Sequence, residues 1–207
     1  MLQTRTFPLI EKVILGAALN VMFQTDFEAV TIQNIAERTQ IDVAKILKLY
    51  SNDNELRMTA MEFAALNWGE HVRDLLREES TTQDKLKKLI QLFIGGTASH
   101  PNSLSLYLDI WKKIRDSGEE DAAYLKEKLF DIYEFYAALF KEVLANNNIA
   151  AISDDPLIDQ LAWIMVVISD GFHIQTLVQG KVANFESIGD TMYRMVRPLL
   201  SEKDELK

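Results

Sequence analysis

The sequence predicts an all-α protein, with a three-helix head at the N-terminus joined by a long helix to a helical body. Three observations favour this class. Apolar residues recur at steps of three and four along most of the 207-residue chain. No stretch shows the apolar-polar alternation that is typical of a strand, and no repeat of fixed period occurs. Glycine, proline and asparagine interrupt the apolar stretches, and these residues end helices.

The composition narrows the class of protein further. Apolar residues make up 48% of the chain, which indicates a folded globular protein of one or two domains. There is no cysteine, so disulfides, thiolate metal sites and cysteine nucleophiles are excluded, and a reducing, cytoplasmic location is expected. The N-terminus lacks the pattern of a signal peptide. The longest fully apolar run, Leu161–Ile168, is too short to span a bilayer, so no membrane association is expected.

The first predicted helix lies between Pro8 and about Thr25. Proline suits a first helical turn because its missing amide hydrogen needs no partner there. Apolar residues then follow at helical spacing: Ile10, Ile14, Ala17, Ala18, Val21 and Met22. Arg5 precedes this helix and could reach a phosphate, although a solvated terminal residue is an equally good interpretation.

Two short helices and a turn are predicted next. Thr31 caps the first, which turns Ile32, Ile35 and Ala36 inward, and Thr39–Ile41 forms the turn. Asp42 caps the second, from Val43 to Leu49, where Ile46 and Tyr50 are one turn apart and close onto the first helix. Lys45 and Lys48 lie on its opposite side. An apolar seam with a basic outer face is how a recognition helix is presented to a DNA major groove.

The remaining helices form the predicted body. Asn52 and Glu55 make a capping box for a long helix that runs to about Arg77, and the polar segment Glu78–Asp84 separates it from the next. The further helices are expected from Gln83 to Gly95, from about Leu104 to Gly118, from there to Asn146, from Pro156 to about Gln179, and from Phe185 to Leu199. The predicted domains are a helix-turn-helix head, 1–57, and an effector-binding and dimerisation body, 58–207.

These patterns resemble the TetR family of transcriptional regulators. The matching positions are Ile14, Ala17, Ala18, Phe23, Thr31, Ile35, Ala36, Ile41, Ile46, Tyr50 and Leu56. Four positions depart from the family's pattern: Gln40 replaces a turn glycine, Asp42 a serine, Leu47 a tyrosine and Asp53 a lysine. Asp42 and Asp53 suit helix caps, but their charge would repel a nearby phosphate.

The distribution of charge limits the kind of DNA binding that is expected. The chain carries a net charge of −9, and residues 1–57 contain six basic and seven acidic residues, so the body holds most of the excess. Nonspecific coating of nucleic acid is therefore not expected. The residues expected to contact DNA are Arg5, Thr31, Gln33, Val43, Ala44, Lys45 and Lys48.

The last two helices are predicted to form a homodimer. The helix from Pro156 is apolar nearly all round, and Gly171 in its middle suggests the close approach of another backbone. The Asp170–Phe172 triplet resembles one in the dimerising helix of TetR relatives. One more core helix in a monomer is the alternative. The expected interface residues are Val167, Gly171, Ile174, Val178, Phe185, Ile188, Met192, Met195 and Leu199.

The resemblance also implies an effector cavity in the body, lined by aromatic residues, for which ordinary core packing is the alternative. Its expected lining is Phe93, Tyr107, Trp111, Tyr133, Tyr136, Trp163, Asp170 and His173, which favours a small apolar or aromatic effector. No catalytic motif, metal-ligand spacing or cofactor-binding loop occurs in the sequence, so neither an enzyme nor a cofactor is expected.

Two functions remain from the sequence. The first is a homodimeric repressor that binds operator DNA and is released by its effector. The second is a TetR-like dimer that has lost DNA binding and acts through protein partners or as a ligand carrier.

Overall fold

The computed structural model describes residues 5–95, 101–145, 156–179 and 185–201. Within these ranges the chain forms nine α-helices and no strand. The all-α prediction is therefore confirmed. The helices are α1 (Leu9–Gln24), α2 (Ile32–Thr39), α3 (Val43–Leu47), α4 (Asp53–Arg77), α5 (Thr82–Gly95), α6 (Pro101–Asp116), α7 (Glu119–Leu144), α8 (Pro156–Gln179) and α9 (Phe185–Ser201).

The helix boundaries agree closely with the predicted ones, with three differences. Thr39 belongs to α2, so the turn between the short helices is reduced to Gln40 and Ile41 ahead of the capping Asp42. The helix α3 ends at Leu47, two residues early, because the amides of Leu49 and Tyr50 both turn back to the Ile46 carbonyl. The helix α6 begins at Pro101, which was predicted to belong to the preceding break and instead takes the favoured first position.

The chain divides into two compact units, each assembled from separate segments. Unit 1 comprises the residues up to Trp68 together with Asn102–Glu134, and unit 2 comprises Gly69–Pro101 together with the residues from Phe135 onward. The predicted boundary at residue 57 separates a DNA-binding head from an effector-binding body by function, not by packing, and it stays a prediction.

The core of unit 1 is built from the apolar faces that the sequence placed inward. Ile14 of α1, Ile35 of α2, Ile46 of α3 and Leu56 of α4 are all completely buried. The helix α2 packs against both α1 and α3. This arrangement fixes the two short helices against each other by one apolar seam, as the sequence predicts.

Unit 2 is organised around α5, which packs against α8 and α9. Leu86, Leu89 and Ile90 on α5 are buried. The close contact between α5 and α9 centres on Gly189, where an added Cβ would lie 3.6 Å from the Gln91 side chain. Within the same unit, Gly69 of α4 packs against the Phe135 ring, whose Cζ is the atom nearest to an added Cβ.

One described helix is long and apolar enough to cross a bilayer by length and composition alone. It is the segment Pro156–Gln175 of α8, with a mean hydropathy of 1.4. Core helices of water-soluble proteins pass the same test, so this property is weak evidence for a membrane span.

Candidate nucleic-acid interface and ligand site

The N-terminus of α2 is capped by two side chains from different parts of unit 1. Thr31 accepts a hydrogen bond from the Asn34 amide at 3.1 Å through its hydroxyl, as the sequence predicts. Asp53, the first residue of α4, accepts a second bond from the Ile32 amide, at 2.8 Å. The Asp53 carboxylate therefore joins the N-terminal ends of α2 and α4.

This position explains the acidic departure at residue 53. Helix N-termini carry partial positive charge and unpaired amides, so two of them side by side favour an anion between them. In this chain the anion is supplied by Asp53 itself. The sequence predicted that Asp53 caps its own helix; the bond to Ile32, 21 residues earlier, has no local sequence signal.

The start of α4 is capped by its own side chains. Asn52 accepts a hydrogen bond from the Glu55 amide at 2.9 Å. The Glu55 carboxylate returns to the amide of Ser51 at 2.7 Å, one residue before the predicted partner. A reciprocal cap therefore forms here, shifted by one position from the predicted pairing.

The helix α3 is fixed from its inner side. Ile46 is 0% exposed, and Tyr50 just beyond the helix is also buried. Burial, with a smaller contribution from Glu11, raises the pKa of the Tyr50 phenol well above its usual value, so the ring stays neutral. Asp42 caps the helix by accepting the Ala44 amide at 2.7 Å.

The outer side of α3 is exposed, and it carries both lysines. Ala44, Lys45, Leu47 and Lys48 all face solvent, and Leu47 is 49% exposed. Val43 is partly exposed. Across the described part of the chain, neither lysine forms an ion pair. These residues are thus presented in the manner that the sequence predicts for a recognition helix.

The other predicted DNA contacts have partners within the head. Gln33 is exposed and donates a hydrogen bond to Glu37 one turn later, at 2.9 Å. Arg5 forms an ion pair with Glu11 at 2.8 Å, and its guanidinium lies 4.8 Å from the centre of the Phe7 ring. Arg5 is thereby held against the start of α1, so contact with a phosphate would require it to leave Glu11.

Arg57 is a structural residue that the sequence counted only as a charge. It is buried, and it donates hydrogen bonds to the carbonyls of Val30 and Glu28, both at 2.8 Å. It therefore holds the segment between α1 and α2 against α4. The Glu28 carboxylate contacts Arg57 at 3.2 Å and also Lys113 of α6 at 3.0 Å, which links that segment to α6 within unit 1.

The predicted effector-lining residues are distributed over both units. Unit 1 contains Trp111, which is partly exposed, and the ring pair of Tyr107 and Tyr133, whose centroids lie 6.2 Å apart in a stacked arrangement. In unit 2, Phe93 makes an edge contact with Tyr136 at 5.6 Å and a tilted contact with Phe140 at 4.4 Å. Each unit thus has an aromatic cluster of its own.

His173 lies beside the end of α5 in unit 2. It forms hydrogen bonds with the backbone of Phe93 and Ile94, and Ser169, one turn earlier on α8, donates to the Phe93 carbonyl at 3.1 Å. His173 is 8% exposed, and burial lowers its pKa, so the imidazole is neutral at pH 7. Its Nε2 atom is buried and has no hydrogen-bond partner among the residues that the structure describes. Asp170 and Trp163, on the same helix, are partly exposed.

Two of the predicted dimer residues on α8, Gly171 and Val178, belong to an exposed apolar stripe that also contains Leu157 and Ile164. Leu157, Ile164, Gly171 and Val178 follow one another at intervals of seven residues, which keeps them on one side of a helix. Val167 and Val178 are 65% and 78% exposed, and an added Cβ at Gly171 would meet no atom of the described residues within 4 Å. The described part of the protomer therefore contains no contact that requires a glycine at residue 171. Ile174 is partly exposed.

The predicted dimer residues on α9 separate into two groups. Met195 is 68% exposed and Ile188 partly exposed, whereas Met192 is buried in the core of unit 2. Met192 is three residues from Gly189, on the face that packs against α5. The side chains of Phe185 and Leu199 lie outside the described residues.

Comparisons with known proteins give no match by sequence and many by structure. No family model matches the chain, and no curated protein sequence matches it. Solved structures do match. FadR from Bacillus subtilis in complex with stearoyl-CoA is 14% identical with a TM-score of 0.65, covering 89% of this chain and 96% of its own. A TetR-family regulator from Rhodococcus sp. is 12% identical with a TM-score of 0.69, covering 92% and 97%. A regulator from Saccharomonospora viridis in complex with choline is 15% identical with a TM-score of 0.64, covering 91% and 95%.

The chain therefore has the fold of TetR-type transcriptional regulators. This confirms the predicted resemblance at the level of fold. The matched structures are regulators that together include both TetR-family members and ligand complexes.

Proposed function

We propose that this protein is a TetR-like repressor that binds operator DNA as a homodimer and releases it when a small apolar or aromatic effector binds. The observation that carries the proposal is the arrangement of α3. Its inner residue, Ile46, is fully buried, while Lys45 and Lys48 face solvent on the opposite side. A helix that projects two cations, neither of which forms an ion pair with a described residue, from a packed two-helix support has the chemistry to enter a major groove.

The homodimer is supported by the apolar stripe on α8. Leu157, Ile164, Gly171 and Val178 expose apolar surface that a monomer would leave in water, and Gly171 permits a close helix crossing. Met195 on α9 would extend this surface, whereas Met192 serves the protomer's own core.

If the protein is a dimer, replacing two different glycines with leucine should have different effects on its oligomeric state. Gly171→Leu should yield monomers because a bulky side chain blocks the crossing, while Gly16→Leu, at an exposed position of α1, should leave the oligomeric state unchanged. Sedimentation velocity at micromolar concentration is the measurement. A parent protein that sediments as a monomer would contradict the dimer.

The effector site is supported by the aromatic cluster of Phe93, Tyr136 and Phe140, which is apolar and has a polar neighbour in His173. We propose this cluster as the first candidate, and Tyr107, Trp111 and Tyr133 in unit 1 as the second. The matched structures contain stearoyl-CoA in one case and choline in another, so this fold accepts chemically unlike molecules. Effector binding should raise the melting temperature by mass action.

A second function has a specific observation in its favour. Asp53 places a carboxylate at the joined N-termini of α2 and α4, where an anionic phosphate would otherwise be attracted. A TetR-like dimer that no longer binds DNA and acts through protein partners or as a ligand carrier would tolerate this charge. Intracellular, cytoplasmic action fits both functions.

The deciding experiment is selection of genomic DNA fragments by the purified protein at low salt. Reproducible enrichment of a palindromic sequence supports the repressor. Uniform, weak retention of all fragments supports the second function. Lys45→Ala with Lys48→Ala is the matched variant, and it should abolish enrichment while leaving the fold intact because both side chains are exposed.

A further inference from the structure

The outer surface of α3 has two chemically different sides. Ile46 marks the buried side, and the directly opposite positions are Ala44 and Lys48 because successive residues turn by 100°. Leu47 and Val43 lie to one side of that line, and Lys45 lies to the other. The exposed surface thus consists of an apolar strip, Val43, Ala44 and Leu47, beside a cationic strip, Lys45 and Lys48.

The apolar strip has no hydrogen-bonding side chain. The Asp42 carboxylate at the start of the helix accepts the Ala44 amide at 2.7 Å, so it is directed at the helix's own backbone. Leu47 nevertheless leaves half of its surface in water, at 49% exposure, in the middle of the candidate interface. A binding partner that fits this surface must therefore present an apolar group to the strip. Next to that group it must present acceptors or negative charges that attract the two lysines.

Among the groups that a base pair presents in the major groove, the 5-methyl of thymine is the apolar one. We propose that Val43, Ala44 and Leu47 recognise thymine methyl groups in the operator, with Leu47 as the principal specificity-determining residue. Lys45 and Lys48 bind the neighbouring guanine acceptors or phosphates, which places the apolar strip over the base edges. This inference rests on the proposed repressor function and specifies what its recognition helix selects.

The expected effect follows from the size of one methyl group. Burying a methyl-sized apolar group favours binding by about fourfold. A symmetric dimer uses both half-sites, so removing the contacted methyl from each should weaken binding by about fifteenfold. Replacing thymine with uracil removes only this methyl and keeps the base-pairing edge.

The test uses the full-length protein and an operator obtained by genomic fragment selection. Each thymine of the half-site is replaced in turn by uracil, and affinity is measured by fluorescence anisotropy at one salt concentration. We expect at least one position at which uracil weakens binding of the parent protein, and we expect Leu47→Ala to bind the thymine and uracil operators equally. Val13→Ala, which removes a similarly exposed apolar side chain from α1, should keep the full difference.

Each outcome bears on a different claim. Enrichment of an operator whose affinity is unchanged by uracil at every position would overturn the methyl recognition and leave the repressor function standing. A uracil effect that persists in full in Leu47→Ala would overturn the role of Leu47. Failure to enrich any fragment would overturn both the inference and the repressor function.

Discussion

Asp53→Ala removes the carboxylate that joins the N-termini of α2 and α4. The bond from the Ile32 amide is 2.8 Å long and partly buried, and its acceptor is charged. Loss of such a charge-assisted cap costs about 2 kcal/mol of unfolding free energy. Asp53→Asn keeps an oxygen acceptor and loses only the charge, so it should cost about 1 kcal/mol.

Urea denaturation followed by circular dichroism measures these changes as shifts in midpoint at constant slope. Glu37→Gln is the matched control, because it removes the same charge from an exposed position on α2 and should change stability by less than about 0.5 kcal/mol. An Asp53→Ala midpoint equal to that of the parent would refute the capping role of Asp53.

The same variants separate the stabilising role of Asp53 from its effect on DNA. If phosphate approaches the joined helix ends, Asp53→Asn should tighten binding to random duplex more than Glu37→Gln does, although each removes one negative charge. Equal affinities for the two variants would show that no phosphate approaches residue 53. Asp53→Lys is a poorer test, because it would also place a cation beside two positive helix ends.

Three further predictions concern the fold. Gly69→Ala should destabilise the protein by about 1–3 kcal/mol, since the new Cβ would overlap Cζ of the buried Phe135 ring. Gly16→Ala, at an exposed position of α1 where an added Cβ meets no described atom within 4 Å, should stabilise it by up to about 1 kcal/mol. Thermal unfolding of the pair would contradict this packing if both shifts had the same sign. Gln40→Gly should raise stability by about 0.5–1 kcal/mol, because Gln40 adopts left-handed backbone angles (φ 56°) that favour glycine, and Gln40→Ala should give no such gain. A urea midpoint for Gln40→Gly below that of the parent would count against it. Burial lowers the folded-state pKa of His173 below the ordinary 6.5, so on acidification the unfolded chain takes up a proton at this site before the folded chain does. Stability should therefore fall as the pH drops below about 6.5, more steeply in the parent than in His173→Gln, and equal slopes in the two proteins between pH 7.5 and 5.5 would disprove the contribution of His173.

The local features of the head could be predicted because their causes are local. Thr31 and Asp42 precede short apolar repeats, and the structure gives both the capping bonds that this position implies. Ile35 and Ile46 are also buried as predicted, because the positions of apolar residues along each helix determine which side of it faces the core. Whether a helix forms, and which of its sides is buried, depends on residues three or four positions away, and these are visible in the sequence.

The contacts that were missed join residues distant in sequence. Asp53 binds Ile32 across 21 residues, and Arg57 binds the Val30 carbonyl across 27. A single sequence contains no signal for such pairs, because many acidic and basic residues have equivalent local surroundings. His173 is a similar case, because it contacts the backbone at the end of α5, which is distant from it in the sequence.

The electrostatic arrangement of the head leads to a specific expectation for DNA affinity. Of its six basic residues, Arg5 is paired with Glu11 and Arg57 is buried against backbone carbonyls and Glu28. Arg38 donates to Asn34 on α2. Of the other three basic residues, Lys12 is exposed on α1 and Lys45 and Lys48 are exposed at α3. Asp53 offsets the positive N-terminal ends of α2 and α4. With few phosphate contacts per head, the slope of log affinity against log salt should be shallow, at about 0.9 per contact. A larger share of the affinity must then come from base contacts on α3, which is where the exposed apolar strip lies.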